Sequence, residues 1–323
     1  MSASPLVLAL GELLIDFVPE RRGVTLAEAQ TFIKAPGGAP ANVAVGVARL
    51  GVTSGFIGKV GDDPFGHHLA DVLREAGVDV RQLVFDDAAR TALAFVSLTA
   101  EGERDFMFYR HPSADMRHRP EEVDDAVVGA AAILHVGSIS LIGDSSARAT
   151  RHAIQVARDA GVTISYDPNL RLPLWPSAAA AASAIRSLLP LAHVVKVSDE
   201  EVHFLTGRDD VAAARSLWHE GCRLMLVTRG EEGVDYLLAE GGGSVPGFPV
   251  DIHDTTGAGD AFMAAVLAAL ATRPDLMHDR EALERALRRA NAFAALTTTR
   301  PGAIPAMPSL ETLEAFLAQH TSD

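Results

Sequence analysis

The chain has 323 residues, 48% hydrophobic and 22% charged, a balance that excludes disorder and collagen-like architecture and allows two domains or one large α/β domain with an insertion. Its 28 basic and 42 acidic residues leave a net charge of −14, which argues against a nucleic-acid or anionic-membrane surface and leaves any bound phosphate to backbone amides and a few placed cations. A single cysteine, Cys222, excludes an internal disulfide and a multi-cysteine zinc site and suits a reducing cytoplasm.

Residues 7–10 form an apolar run that ends at Gly11 and reads as a first strand rather than a signal peptide. Helical spacing follows over 41–50, a short strand over 55–57, and a helix over 67–76. Beyond the apolar run 133–136, the pattern predicts helices over 145–160, 178–189 and 211–220, alternating with strands over 162–166, 194–197 and 224–227. Long helices near 258–271 and 281–296 and a last one near 310–317 close the chain. Short apolar runs alternating with helices indicate βαβ units and a mostly parallel sheet. No apolar stretch reaches the ~18 residues needed to cross a membrane.

One region breaks this rhythm. Residues 91–98 and 104–110 read as two strands joined through Glu101-Gly102, a β-hairpin inside an α/β chain. Phe106, Phe108 and Arg110 share one face of the second strand, and Met107 and Tyr109 the other. Bulky side chains on both faces require cover on both: one face suits a substrate cleft, the other a second subunit. Residues 15–33 can add strands to the same small sheet. The small sheet is therefore expected from 11–35 and 89–111, as a lid on a large domain of 1–10, 36–88 and 112–323.

The stretch Asp254-Thr255-Thr256-Gly257-Ala258-Gly259-Asp260 opens the apolar helix near 258–271. Gly257 and Gly259 permit a tight turn, and a helix start presents unpaired N–H groups and a positive dipole end to an anion. Asp260 falls in the first turn, where the dipole favours its ionised form, so that it can accept a proton. An anion hole beside a base is what phosphoryl transfer to a hydroxyl needs. A helix cap and a plain turn would explain Asp260 alone, but not two glycines, two threonines and two aspartates in seven residues. The chain has no Gly-x-x-x-x-Gly-Lys-Ser/Thr loop, no Gly-x-Gly-x-x-Gly after the first strand, and no zinc spacing among its 12 histidines.

This heptapeptide resembles the second signature of the ribokinase-like (PfkB) carbohydrate kinase family. The first signature is matched by Gly37-Gly38-Ala39-Pro40-Ala41-Asn42-Val43-Ala44, then Leu50-Gly51, then Gly58-Lys59-Val60-Gly61-Asp62-Asp63-Pro64-Phe65-Gly66. The resemblance implies Asp260 as catalytic base, with Gly257, Ala258 and Gly259 as the anion hole. It implies a sugar site from Asp16, Gly37, Gly38 and Asn42, although Asn42 reads equally well as a packing amide at a helix start. Asp167-Pro168-Asn169-Leu170-Arg171 and the strand ending Phe106-Met107-Phe108-Tyr109-Arg110 resemble the fructokinase and 2-keto-3-deoxygluconate kinase branches, adding Phe108, Arg110, Asn169 and Arg171 to the acceptor side, with ATP phosphates as the other reading of Arg171. A solvated strand end is the other reading of Arg110.

On the ATP side the resemblance implies Lys196, Ser198, Thr228, Gly230, Gly233 and Asn291, with Ser198 standing where the family carries asparagine. Residues 228–233 read equally as a hairpin turn. Glu201 is implied to place Mg2+ through water, while Glu200 reads as a solvated helix start. Asp254, Thr256, Thr297, Arg300 and Gly302 are implied to hold a monovalent cation such as K+, or simply to form a tight loop. The fold implied is a three-layer α/β/α ribokinase-like domain with a mostly parallel sheet and a small β lid. The implied activity is ATP-dependent phosphorylation of a sugar, fructose to fructose 6-phosphate first and 2-keto-3-deoxygluconate second, by a cytoplasmic homodimer joined through the lid. A sugar-binding regulator without catalysis is the reading from another class, and the intact Asp260 and glycines weigh against it.

Overall fold

The computed structural model describes residues 6–21, 23–98, 104–208 and 210–320. β1 (Leu6–Leu10) leads into β2 (Leu14–Pro19) and β3 (Phe32–Gly37), then α1 (Ala39–Arg49), β4 (Thr53–Gly61), α2 (Pro64–Glu75) and β5 (Asp79–Asp86). The hairpin β6 (Leu93–Leu98) and β7 (Arg104–Tyr109) precedes α3 (Asp125–Gly129), β8 (Ile133–Val136), α4 (Asp144–Asp159), β9 (Thr163–Tyr166), α5 (Ala178–Leu188), β10 (Val194–Ser198) and α6 (Asp199–Thr206). The chain ends through α7 (Val211–Arg215), β11 (Leu224–Thr228), β12 (Gly233–Leu237), β13 (Gly242–Pro246), α8 (Ala258–Thr272), α9 (Arg280–Thr298) and α10 (Leu310–Gln319).

The large sheet runs β13-β12-β11-β10-β9-β8-β1-β4-β5. Its pairs are parallel except β11 with β12 and β12 with β13. Alternation along each strand feeds two separate cores. Val7 and Ala9 pack with α1, α8 and α9 on one face, and Leu8 and Leu10 with α4 and α5 on the other. Strands buried on both faces read as continuous apolar runs, which is why the three layers were legible in advance.

Four elements differ from expectation. The helix expected over 211–220 stops at Arg215, because the Ser216 hydroxyl turns back to the Ala213 carbonyl at 2.6 Å. The short strand at 55–57 extends over nine residues, hidden by Gly55, Gly58 and Gly61, which admit close packing. At Gly58 a Cβ would stand 2.6 Å from the Phe56 ring. β5 and β13 carry no clear alternation and lie at the two edges, where burial imposes less pattern.

The second sheet runs β3-β2-β6-β7 and stands over the carboxyl ends of the large one. It unites the two expected insertions, although the turn Glu101-Gly102 and the Phe106 side chain lie outside the described residues. The Gly58–Gly66 part of the first signature anchors this sheet. Asp63 caps α2 through Phe65 and Gly66 and accepts the Thr91 amide at 2.8 Å, just before β6.

Candidate active site

Between the two sheets lies a cleft of about 420 Å³. It opens above β1, β9, β10 and β11, at the carboxyl ends of parallel strands. The sheet grows one way from β1 through β4 and the other way from β8, a reversal at which α/β folds place ligands. Asp260 projects into it from the first turn of α8.

Gly257 caps α8 with φ 78°, and a Cβ there would come within 2.5 Å of Ala303 Cβ. Only glycine meets both demands. The first-turn amides of Gly259 and Asp260 occupy positions that a helix leaves unpaired. The Ala258 amide, expected in the anion hole, instead donates to the Thr255 carbonyl at 3.2 Å, so the turn spends one of its donors on itself. Asp260 Oδ2 accepts from Asn42 Nδ2 at 2.7 Å and Oδ1 from Asn169 Nδ2 at 3.1 Å. These two contacts settle Asn42 as a partner of the carboxylate rather than a packing amide, and they aim both oxygens.

The helix start was expected to keep Asp260 ionised. Burial outweighs it and pushes the carboxyl up to about 6, with the Asn42 hydrogen bond opposing. A base must be deprotonated to act, so kcat/KM is expected to rise with pH through about 6, as Asp260 loses its proton. A pH–rate profile flat from pH 5 to 8 would remove Asp260 from the proton transfer.

At one end of the cleft, Asp16 on β2 faces inward with Phe108 of β7. Burial pushes Asp16 up to about 7 against the pull of Arg171. Gly37 does not line the cleft; a Cβ there would collide with the Asp16 carboxylate, so it makes room for that side chain. Gly38, at φ 110°, would collide with the Glu12 carbonyl if substituted. Arg110 is no solvated strand end: it is 2% exposed, lines the cleft and is paired with Asp115. Sequence reasoning missed Glu12, which is buried and pushed up to about 7 by that burial. A lone glutamate between Gly11 and Leu13, at the end of a buried strand, was its signal.

At the other end, buried Lys196 pairs with Asp167 at 3.0 Å, next to Gly259. Thr228 also lines the cleft, as does Arg171, whose charge acts on both Asp16 and Asp260. Ser198 and Glu201 form a capping box on α6, and Glu201 Oε1 takes the Leu170 amide at 2.7 Å. Both Glu201 oxygens therefore already accept backbone amides. Gly230 and Gly233 make the hairpin between β11 and β12 and stand off the cleft. Asn291 is corrected most clearly. It is buried in α9, and its Nδ2 donates to the Val245 and Pro246 carbonyls at 3.0 and 2.9 Å, tying β13 down rather than facing the cleft.

Of the expected cation residues, three converge. Asp254 Oδ1 accepts from the Thr256 amide and hydroxyl at 2.9 and 2.6 Å, and Oδ2 from the Gly302 amide at 2.8 Å. Thr297 lies in the last turn of α9 and gives its hydroxyl to Phe293 O at 2.8 Å, and Arg300 is exposed beyond it. The loop was expected to begin at Thr297; α9 continues to Thr298 and absorbs it. No group of three or more His, Cys, Asp or Glu that could hold a metal occurs among the described residues. Likewise, no helix among them is long and apolar enough to cross a membrane.

Comparison with known proteins shows the family. The pfkB family carbohydrate kinase profile matches residues 4–310. The probable fructokinase-4 of Arabidopsis thaliana is 52% identical over 314 residues, covering 97% of this chain and 96% of the relative. The crystal structure of fructokinase with bound ATP from Xylella fastidiosa matches with a TM-score of 0.91 at 39% identity, over 98% of this chain and 99% of that one. Fructokinase from Vibrio cholerae O395 in its fructose, ADP and calcium ion bound form matches with a TM-score of 0.87 at 36% identity, over 97% and 99% of the two chains.

Proposed function

This chain belongs to the pfkB family of carbohydrate kinases, and from that membership we propose that it transfers the terminal phosphoryl group of ATP to the 6-hydroxyl of fructose. The observation that carries the reading is Asp260: a buried carboxylate held at both oxygens by Asn42 and Asn169, one turn inside a helix start that faces the cleft. Asp260 takes the hydroxyl proton as the new O–P bond forms. The α8 amides and the Lys196 ammonium face the charge on the moving group, and Asp16, Asn42 and Arg110 hold the acceptor. Bound Mg2+ would offset charge on the ATP phosphates. With both Glu201 oxygens already accepting amides, phosphates and water are its main ligands. A monovalent cation such as K+ would draw on the Asp254 carboxylate, whose oxygens already accept hydrogen bonds from Thr256 and Gly302. A reducing cytoplasm suits the buried thiol of Cys222.

ATP consumption with Mg2+ against fructose, 2-keto-3-deoxygluconate, ribose, glucose and adenosine tests the reading. The expected result is a kcat/KM for fructose at least ten-fold above that for 2-keto-3-deoxygluconate, roughly 1.4 kcal/mol in transition-state binding. The reverse order would make the sugar acid the substrate, and no turnover of any sugar would favour a binding protein.

The small sheet supports a dimer. On its outer face Phe17 stacks on Phe95 and Phe95 meets Tyr109 edge to face, where α2 covers Phe17 through Phe65 but leaves Met107 and Tyr109 exposed. Light scattering at micromolar concentration is expected to give twice the 34.1 kDa chain mass. Tyr109→Lys should shift it toward the monomer, and a monomeric parent protein would end the proposal.

A further inference from the structure

Four polar atoms at the acceptor end of the cleft are buried and without a partner: Glu12 Oε2, Asn42 Oδ1, Arg110 Nε and Arg110 Nη1. All three side chains line the cavity. Two of the atoms accept hydrogen bonds and two donate. Folded chains rarely leave such groups unsatisfied, and a ligand that pairs them removes the desolvation cost. A hydroxyl both donates and accepts, so one sugar hydroxyl can fill an acceptor and a donor of this set together.

Charge narrows the ligand further. The Arg110 guanidinium is already paired with Asp115, and both are almost fully buried. The Arg110 and Asp115 charges both act on Glu12. Asp16 stands on the same lid sheet, facing the same cavity. Glu12 and Asp115 thus flank the Arg110 guanidinium, while Asp16 lies under the pull of Arg171, which lines the same cavity. An acceptor carboxylate at Arg110 would bring a further anion to a cation already paired with buried Asp115, whereas a neutral polyol brings none.

We propose that Glu12 determines acceptor specificity: its unpaired Oε2 takes a hydrogen bond from an acceptor hydroxyl to which Arg110 donates, and the carboxylates around Arg110 select a neutral polyol over a sugar acid. The inference rests on the sugar kinase reading above and supplies a reason for its preference. Glu12 is held for this role by its other oxygen, Oε1, which accepts the Ala39 amide at 3.0 Å where α1 begins.

Glu12→Gln keeps the shape and the acceptor for Ala39 while removing the charge. In the full-length enzyme with Mg-ATP, KM for fructose is expected to rise at least ~10-fold while kcat stays within about three-fold, and the fructose-to-2-keto-3-deoxygluconate ratio of kcat/KM is expected to fall at least ~10-fold. A purely structural glutamate would change stability and leave that ratio alone. An unchanged ratio in the folded variant overturns the proposal, whatever happens to the melting temperature. Should the variant fail to fold, calorimetric titration of the unmodified protein with each sugar in the presence of ADP decides instead. Fructose is expected to bind at least ~10-fold tighter than the acid, and equal binding overturns the proposal. Fructose that binds tightly but is never phosphorylated would overturn the kinase reading and leave the assignment of Glu12 standing.

Discussion

Asp260→Ala is expected to lower kcat by at least ~10² while ATP affinity changes little, the scale for removing a positioned base. The carboxylate is buried and hydrogen-bonded at both oxygens by side-chain amides. Alanine leaves no proton acceptor in that place, and water entering the gap is neither aimed nor basic. It also leaves the Nδ2 groups of Asn42 and Asn169 without their shared partner, so some loss of sugar affinity should accompany the loss of turnover. Stability should suffer less than activity, because the substitution also removes a desolvated carboxylate that burial holds at about 6. Steady-state kinetics beside nucleotide titration and thermal unfolding would separate these effects. Near-normal turnover in a folded variant would take the base away from Asp260.

Lys196→Met is expected to harm both folding and catalysis. Lys196 and Asp167 are paired at 3.0 Å with side chains 7% and 3% exposed. Removing one partner of a buried pair strands the other charge and costs ~3–5 kcal/mol. The surrounding carboxylates of Asp167, Glu201 and Asp260 outweigh desolvation and raise the Lys196 pKa, so the ammonium is charged at neutral pH. It stands beside Gly259, where a phosphoryl group would meet the start of α8, and loss of one such charge from a dry site costs ~10² or more in kcat. Adding Asp167→Asn should recover part of the stability, because the direct ion-pair partner is then neutral too, but none of the turnover. Urea unfolding and kcat for the two single variants and the double variant test this together. Recovery of turnover in the double variant would assign Lys196 a purely structural part.

The amino-acid sequence by itself determined the layering and the chemistry. Apolar runs of strand length between helical periods dictated a parallel sheet buried on both faces, since only that burial removes the alternation. The Asp254–Asp260 stretch pointed to an anion site next to a carboxylate, because glycines and a helix start are local features, although burial reversed the effect expected of that helix start on Asp260. Resemblance then named the sugar side around Asp16 and Asn42. What lay beyond reach was pairing across the chain. Asn42 and Asp260 meet 218 positions apart, and Asn169 reaches the same carboxylate from 91 positions away. Only the tertiary structure decided that Asn291 ties down β13, that Thr297 belongs to α9, that Glu201 clips Leu170, and that Glu12 shares a buried corner with Arg110 and Asp115. The reason is physical. Backbone propensity and local dipoles act over a few residues, whereas burial, hydrogen-bond partners and shifted acidities depend on which distant side chains the fold brings within a few ångströms of each other.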